Sequence, residues 1–220
     1  ADAIIRDAPN QFALIIVDET SGERIVLWDR DDRLRLRERE LPVEAIRACR
    51  VVHVDDVDEE AAILAAEMAR EAGVPSTSDL DRLTDRTEAL VAAVSIPIFA
   101  EHMPPALTGE ADQERALRKL RSTHDGLLVV TLGQDGALAL DGDRVHHSPG
   151  FKVDPVDTTG AGDVFRGGFI YGLLNGWPVE RVLQFANAAA AVSCTTLGAL
   201  NGVPGLHEAR DLLEAGAVRR

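Results

Sequence analysis

Cysteine is scarce in this chain. Cys49 and Cys194 are the only two among 220 residues. That is too few for a disulfide framework and, unaided, for a zinc site. The scarcity fits a reducing compartment, so a cytoplasmic location is the expectation. Positive charge is also in short supply. Lys and Arg total 23 against 37 Asp and Glu, a formal net charge of −14. Such a surface repels nucleic-acid backbones and anionic lipid, and neither is expected as a partner. No apolar run reaches membrane-spanning length. The opening residues, Ala1 to Asp7, lack both a starting Met and a basic segment followed by an apolar core, so a signal peptide is not expected there. Internal repeats, low-complexity tracts and an interdomain linker are lacking too.

What remains is enough for a globular core. The chain is 45% hydrophobic and 27% charged, and its length suits one domain or one domain with a small appendage. Residues 11 to 28 predict a β-hairpin, with strands at 11–17 and 24–28 and a turn at 18–23 in which Gly22 is free to take positive φ. The charge run at 29–40 predicts a solvated connection. From residue 43 helices and strands alternate. Helices are expected at 43–48, 58–71 (stopped by Gly73), 111–123, 163–175 and 179–195. Buried strands are expected at 50–55, 94–99 and 127–132, with Pro97 an irregularity, and a hairpin at 136–147 turning at Asp141-Gly142-Asp143. This order predicts an α/β fold on a mainly parallel sheet, with ligands beyond the carboxyl ends of its strands.

An anionic substrate would need a local site that overrides the acidic surface. Asp157-Thr158-Thr159-Gly160-Ala161-Gly162-Asp163 offers one, because it stands just before a predicted helix. Two glycines and an alanine leave the turn bare. Backbone N–H groups at a helix start are unpaired, and the dipole there favours negative charge. The Gly-Lys-Ser/Thr of a Walker A loop is absent. Asp163 fits two roles: an N-cap satisfying backbone donors, or a base accepting a proton from an attacking hydroxyl.

The wider segment resembles the ribokinase-like, or PfkB, family of carbohydrate kinases. The similarity runs from Val156 to Phe169, through Phe185-Ala186-Asn187-Ala188-Ala189-Ala190-Ala191 and Gly198-Ala199, and upstream through Val130 to Ala137. The hairpin at 11–28 also looks like the stretch before the family's central strands. The resemblance implies a three-layer fold with a small β-hairpin lid, one kinase domain over 1–220, and a core at 43–220. It implies Asp163 as catalytic base and Gly160, Ala161 and Gly162 as an anion hole. It places Thr131, Gly133 and Gly136 along the nucleotide's ribose and phosphates, and Asn187 on the wall of the adenine pocket. The bland alternative for Asn187 is a local helix bond. Asp157, Thr159 and Gly198 match positions around a monovalent cation such as K+. ATP with Mg2+ is the implied cofactor, and a sugar or related polyol the implied substrate.

The match also has gaps. The family's Asn-x-x-Glu, which organises magnesium, is replaced here: Ala100 and Met103 hold those positions before Leu107-Thr108-Gly109. Glu101 is a nearby substitute or simply a loop acid. The family's Gly-Gly sugar motif and early Asp have no counterpart before Gln11, so the N-terminal part of the usual fold is expected to lie outside this sequence. His53, Asp55, Asp56 and Asp58, and likewise Asp79 and Asp81, stand near expected strand ends as ligands or as caps and loop acids. Arg166 shares Asp163's helix face and contacts phosphate, substrate or a neighbouring acid. His146 and His147 are expected to be exposed. The function implied is ATP-dependent phosphorylation of a sugar or polyol hydroxyl. The rivals are a nucleoside or other non-sugar kinase of the same fold and a catalytically silent nucleotide-binding or regulatory relative. The hairpin edge also suggests a homodimer.

Overall fold

A computed structural model describes residues 7–17, 24–216 and 218. The turn expected at 18–23 lies outside them. The chain divides into two compact units, Ala1–Pro42 and Val43–Arg220.

In the first unit, strands β1 (Phe12–Val17) and β2 (Arg24–Asp29) pair antiparallel, with Leu14 opposite Leu27 and Ile16 opposite Ile25. Side chains alternate across a strand, so Phe12, Leu14, Ile16, Ile25 and Leu27 share one face. All five are exposed, between 51% and 62%. The charge run that follows is a solvated connection containing two short 3-10 turns, Asp32–Leu34 and Glu38–Glu40.

The second unit runs α1 (Val43–Ala48), β3 (Val52–Asp55), α2 (Glu59–Glu71), β4 (Ser76–Asp79), α3 (Thr87–Ala93), β5 (Ile98–Phe99), α4 (Met103–Thr108), α5 (Gln113–Leu120), β6 (Leu128–Thr131), β7 (Ala137–Asp141), β8 (Arg144–Ser148), α6 (Ala161–Leu174), α7 (Val179–Ser193) and α8 (Leu206–Ala215). Strands β3 and β4 pair in parallel, as do β5 and β6, while β6, β7 and β8 are antiparallel. Parallel bridges Thr77–Ile96 and Leu80–Phe99 join the two groups. The result is one mixed sheet in the order β3-β4-β5-β6-β7-β8.

The period-2 alternation of the strands divides the core. Phe99, Leu128, Val130 and Leu140 face Ala62, Ala66, Leu90, Met103 and Leu117 of helices α2 to α5. Ile98, Val129, Ala137 and Ala139 face Phe165, Phe169, Val182, Leu183 and Ala186 of α6 and α7. The sheet is therefore covered on both sides, which explains why 127–132 reads as a continuous apolar run.

Some expectations need correction. The strand at 50–55 is shorter and only half-buried, alternating between partly buried and exposed residues. It is one of the two edge strands among the described residues, paired with β4 alone. The strand expected at 94–99 keeps only Ile98–Phe99 as a ladder. Pro97 has no N–H to give, although its carbonyl still accepts from Val129 N at 3.1 Å. His146 is buried, not exposed: it points inward from β8 with Nδ1 3.3 Å from Glu180. His147, on the opposite face, is exposed.

Candidate active site

Helix α6 begins two residues earlier than its sequence suggests. Gly160 occupies the cap position with φ 80°, a left-handed conformation that glycine adopts without strain. Its carbonyl accepts the first helical bond from Val164 N at 2.9 Å, and Ala161 N bonds Thr158 O at 3.2 Å. Among the described residues, no acceptor meets the amides of Gly160, Gly162 and Asp163. Three donors at the positive end of a 14-residue helix therefore stand free.

Asp163 is the third helical residue and no side chain caps the helix, so the N-cap alternative is set aside. Its carboxylate is exposed, lies over the first turn, and would stand 3.8 Å from a Cβ placed on Gly160.

Asp157 holds the preceding loop in place. Its Oδ1 accepts from Thr159 N and its Oδ2 from Gly198 N, each at 2.9 Å. Val156 N and Asp157 N both donate to Cys194 O at the end of α7. Asp157, Thr159 and Gly198 thus form one cluster beside the start of α6.

A cavity of about 380 Å³ opens next to that start, within the range of small-molecule sites. Thr131, Gly133 and Gly136 line it from the β6–β7 turn, Ala161 and Gly162 from α6, and Asn187, Ala190 and Ala191 from α7. Asn187 is buried, and its Nδ2 donates to Ser148 O and Oγ, each at 2.9 Å. This is a long-range tie between α7 and the end of β8, not a local helix bond. Sequence reasoning missed Gly150, Phe151, Val153, Pro155, Gln134 and Cys194, which also line the cavity. The Gly and Pro content of 150–155, between a hairpin and the glycine turn, was the available signal. Burial pushes the Cys194 thiol above its usual pKa, followed by the Asp157 charge, so it is a poor nucleophile.

A second group of side chains meets α6 at the sheet ends. Arg166 is buried to 6% exposure and ion-pairs through Nη2 with Asp79 at the end of β4. Burial raises the Asp79 carboxyl to about 6; Arg166 opposes this, while Asp163, Asp56 and Asp81 add to it. His53 keeps solvent contact and sits 2.9 Å from Thr77 Oγ1. Loss of water around its ring lowers its pKa, as does Arg166, against the pull of Asp55 and Asp163. Buried Asp56 is a brace: it accepts from Asp81 N, Arg82 N and Arg82 Nε at 2.7–3.0 Å. Asp55 accepts locally from Val57 N.

Met103, at the family's carboxylate position, lies fully buried in the core. Glu101 is an exposed loop residue. Among the described residues, no group of three or more His, Cys, Asp or Glu is placed to hold a metal ion. That donor set still fits a Mg2+ that arrives on nucleotide phosphates and keeps its waters, because such an ion needs only one or two carboxylates. Asp163 and Asp79 are the carboxylates at hand.

Three layers, a glycine turn opening a helix, and a nucleotide-sized cavity beside it define a ribokinase-like α/β protein. The profile of the pfkB family of carbohydrate kinases matches residues 3–205, and the chain belongs to that family. It is 32% identical to the ribokinase of Haemophilus influenzae over 156 residues, covering 69% of this chain and 51% of that protein. It is 33% identical to the ATP-dependent ribose-1-phosphate kinase of Halopiger xanaduensis, covering 89% of this chain and 65% of that one. The chain thus spans half to two thirds of these relatives. Among solved structures, Thermotoga maritima ribokinase superposes with a TM-score of 0.79 at 26% identity, covering 94% of this chain and 70% of that one. Arabidopsis thaliana ribokinase, complexed with ribose and ATP, shares the fold with a TM-score of 0.80 at 23% identity and the same coverages. Among the described residues no helix is long and apolar enough to cross a membrane.

Proposed function

We propose that this chain carries the nucleotide and phosphoryl-transfer half of an ATP-dependent kinase acting on a hydroxyl of a sugar or related polyol. The observation that carries this is the start of α6, where three free amides and the exposed Asp163 carboxylate share the first turn of a helix whose Ala161 and Gly162 line the cavity. The β6–β7 turn and the Asn187 wall hold the nucleotide. The free amides of Gly160, Gly162 and Asp163 receive the γ-phosphoryl oxygens and stabilise their charge as transfer proceeds. Asp163 accepts the proton of the acceptor hydroxyl while its oxygen attacks phosphorus and the bond to ADP breaks. Magnesium on the phosphates supplies further charge neutralisation when bound. The Asp157–Thr159–Gly198 cluster is proposed to flank a monovalent cation that supports the turn.

The two relatives above are named a ribokinase and a ribose-1-phosphate kinase, which favours a small sugar acceptor. A coupled ADP assay over a panel of sugars and polyols tests the proposal. Asp163→Asn is expected to keep nucleotide binding and lose about 10²–10⁴-fold in kcat. Wild-type turnover in that variant would remove Asp163 as the base. We further propose that the two copies of a homodimer meet through the β1–β2 hairpins.

A further inference from the structure

Arg166 is more deeply buried than any other charged group near the proposed phosphate site, and its donors are only partly used. Nη2 pairs with Asp79, while Nε is buried with no hydrogen-bond partner among the described residues. A guanidinium carries five N–H donors, and leaving buried ones unfilled is costly. The side chain runs back along α6 toward its N-terminus, as long side chains on helices do. Its Nη1 packs onto the bare face of Gly162: a Cβ added there would stand 2.7 Å from it. Gly162 therefore leaves space for a cation as well as a free amide, and the two lie side by side. Asp79 fixes one edge of the guanidinium at the end of β4. The other edge is left toward the first turn of α6.

We propose that Arg166 is a further catalytic residue, a cation supplied by the helix itself that contacts the terminal phosphate held at the free amides of Gly160, Gly162 and Asp163. This rests on the phosphate-site reading above. The charge it supplies offsets part of the negative charge that Asp79, Asp81 and Asp163 place around a polyanion. It compensates in part for a metal-organising carboxylate that position 103 does not provide. As phosphorus passes from ADP oxygen to acceptor oxygen, the transferring group stays within reach of the same guanidinium, and no proton moves to or from it.

The test separates the terminal phosphate from the rest of the nucleotide. Arg166→Gln leaves Asp79 without its partner, so the double variant Arg166→Gln/Asp79→Asn, which removes both charges, is measured alongside it. Titration calorimetry with Mg2+ compares ADP with β,γ-imido-ATP. A charge-assisted contact is worth about 10–100-fold in affinity. The preference for the imido analogue over ADP is therefore expected to fall at least ~10-fold in both variants, with ADP affinity within ~2-fold of wild type. An unchanged preference in either variant, or an equal loss for both ligands, would show that Arg166 only clamps β4 to α6 and would overturn the proposal. Failure of the underlying phosphate-site reading looks different: the wild-type chain would bind neither nucleotide.

Discussion

Asp79 shows how one residue's environment sets its chemistry. Its folded pKa of about 6 lies above the ordinary 3.8, chiefly because burial penalises the ionised form. A raised carboxyl binds its proton more tightly in the folded state, so its contribution to stability is complete below pH about 4. That contribution is lost as pH rises through about 6. Relative to Asp79→Asn, the wild type is expected to lose on the order of 2–3 kcal/mol of unfolding free energy across that window and to run parallel above it. Denaturant unfolding at a series of pH values checks this, and a constant offset between the two proteins would contradict it. In the sequence Asp79 stood out only as an acid near an expected strand end, with a ligand and a cap or loop acid as alternative readings. The pairing of Asp79 with Arg166 depends on β4 and α6 meeting across the sheet, which spacing along the chain does not show. The 157–163 turn was legible because bare glycines at a helix start act through local backbone geometry.

At the scale of the element, α6 depends on how its first turn is made. Gly160 and Gly176, at opposite ends of the helix, both have left-handed φ, 80° and 66°. A Cβ at Gly176 meets nothing within 4 Å, whereas one at Gly160 comes to 2.9 Å from the Ala199 side chain. Gly176→Ala is expected to carry only the conformational cost, about 1–2 kcal/mol, with kinetic constants unchanged. Gly160→Ala adds a clash and tilts the amides, so it should lower Tm by more than ~4 °C and cut kcat by at least ~10-fold. Thermal unfolding and steady-state kinetics on the pair distinguish the two; equal effects at both positions would count against an anion site at the start of α6. Strong patterns such as 127–132 predicted their elements well. Pro97 shortened β5 instead, because a missing N–H interrupts the ladder, and Asn187 hid a long-range bond behind a helical context.

For the whole molecule, two features oppose each other in any association of copies. The β1–β2 hairpin shows an apolar face of Phe12, Leu14, Ile16, Ile25 and Leu27, each more than half exposed. A two-stranded hairpin is marginal alone, and apolar faces of this kind mark contact surfaces. Burying each such side chain is worth about 1.5–3 kcal/mol. Against this stands a net charge of −14 per copy, which makes two copies repel. Salt screens that repulsion and leaves hydrophobic burial intact, since the Debye length falls from about 30 Å at 0.01 M to about 3 Å at 1 M. Dimerisation is therefore expected to tighten with added NaCl, whereas an interface built on ion pairs would weaken. Leu14→Glu/Leu27→Glu places two like charges opposite each other on that face, and is expected to give monomers at every salt concentration while leaving Val43–Arg220 folded. Light scattering across a salt series decides it: a dimer that persists in the double variant, or one that dissociates as salt rises, would place the contact elsewhere on the chain.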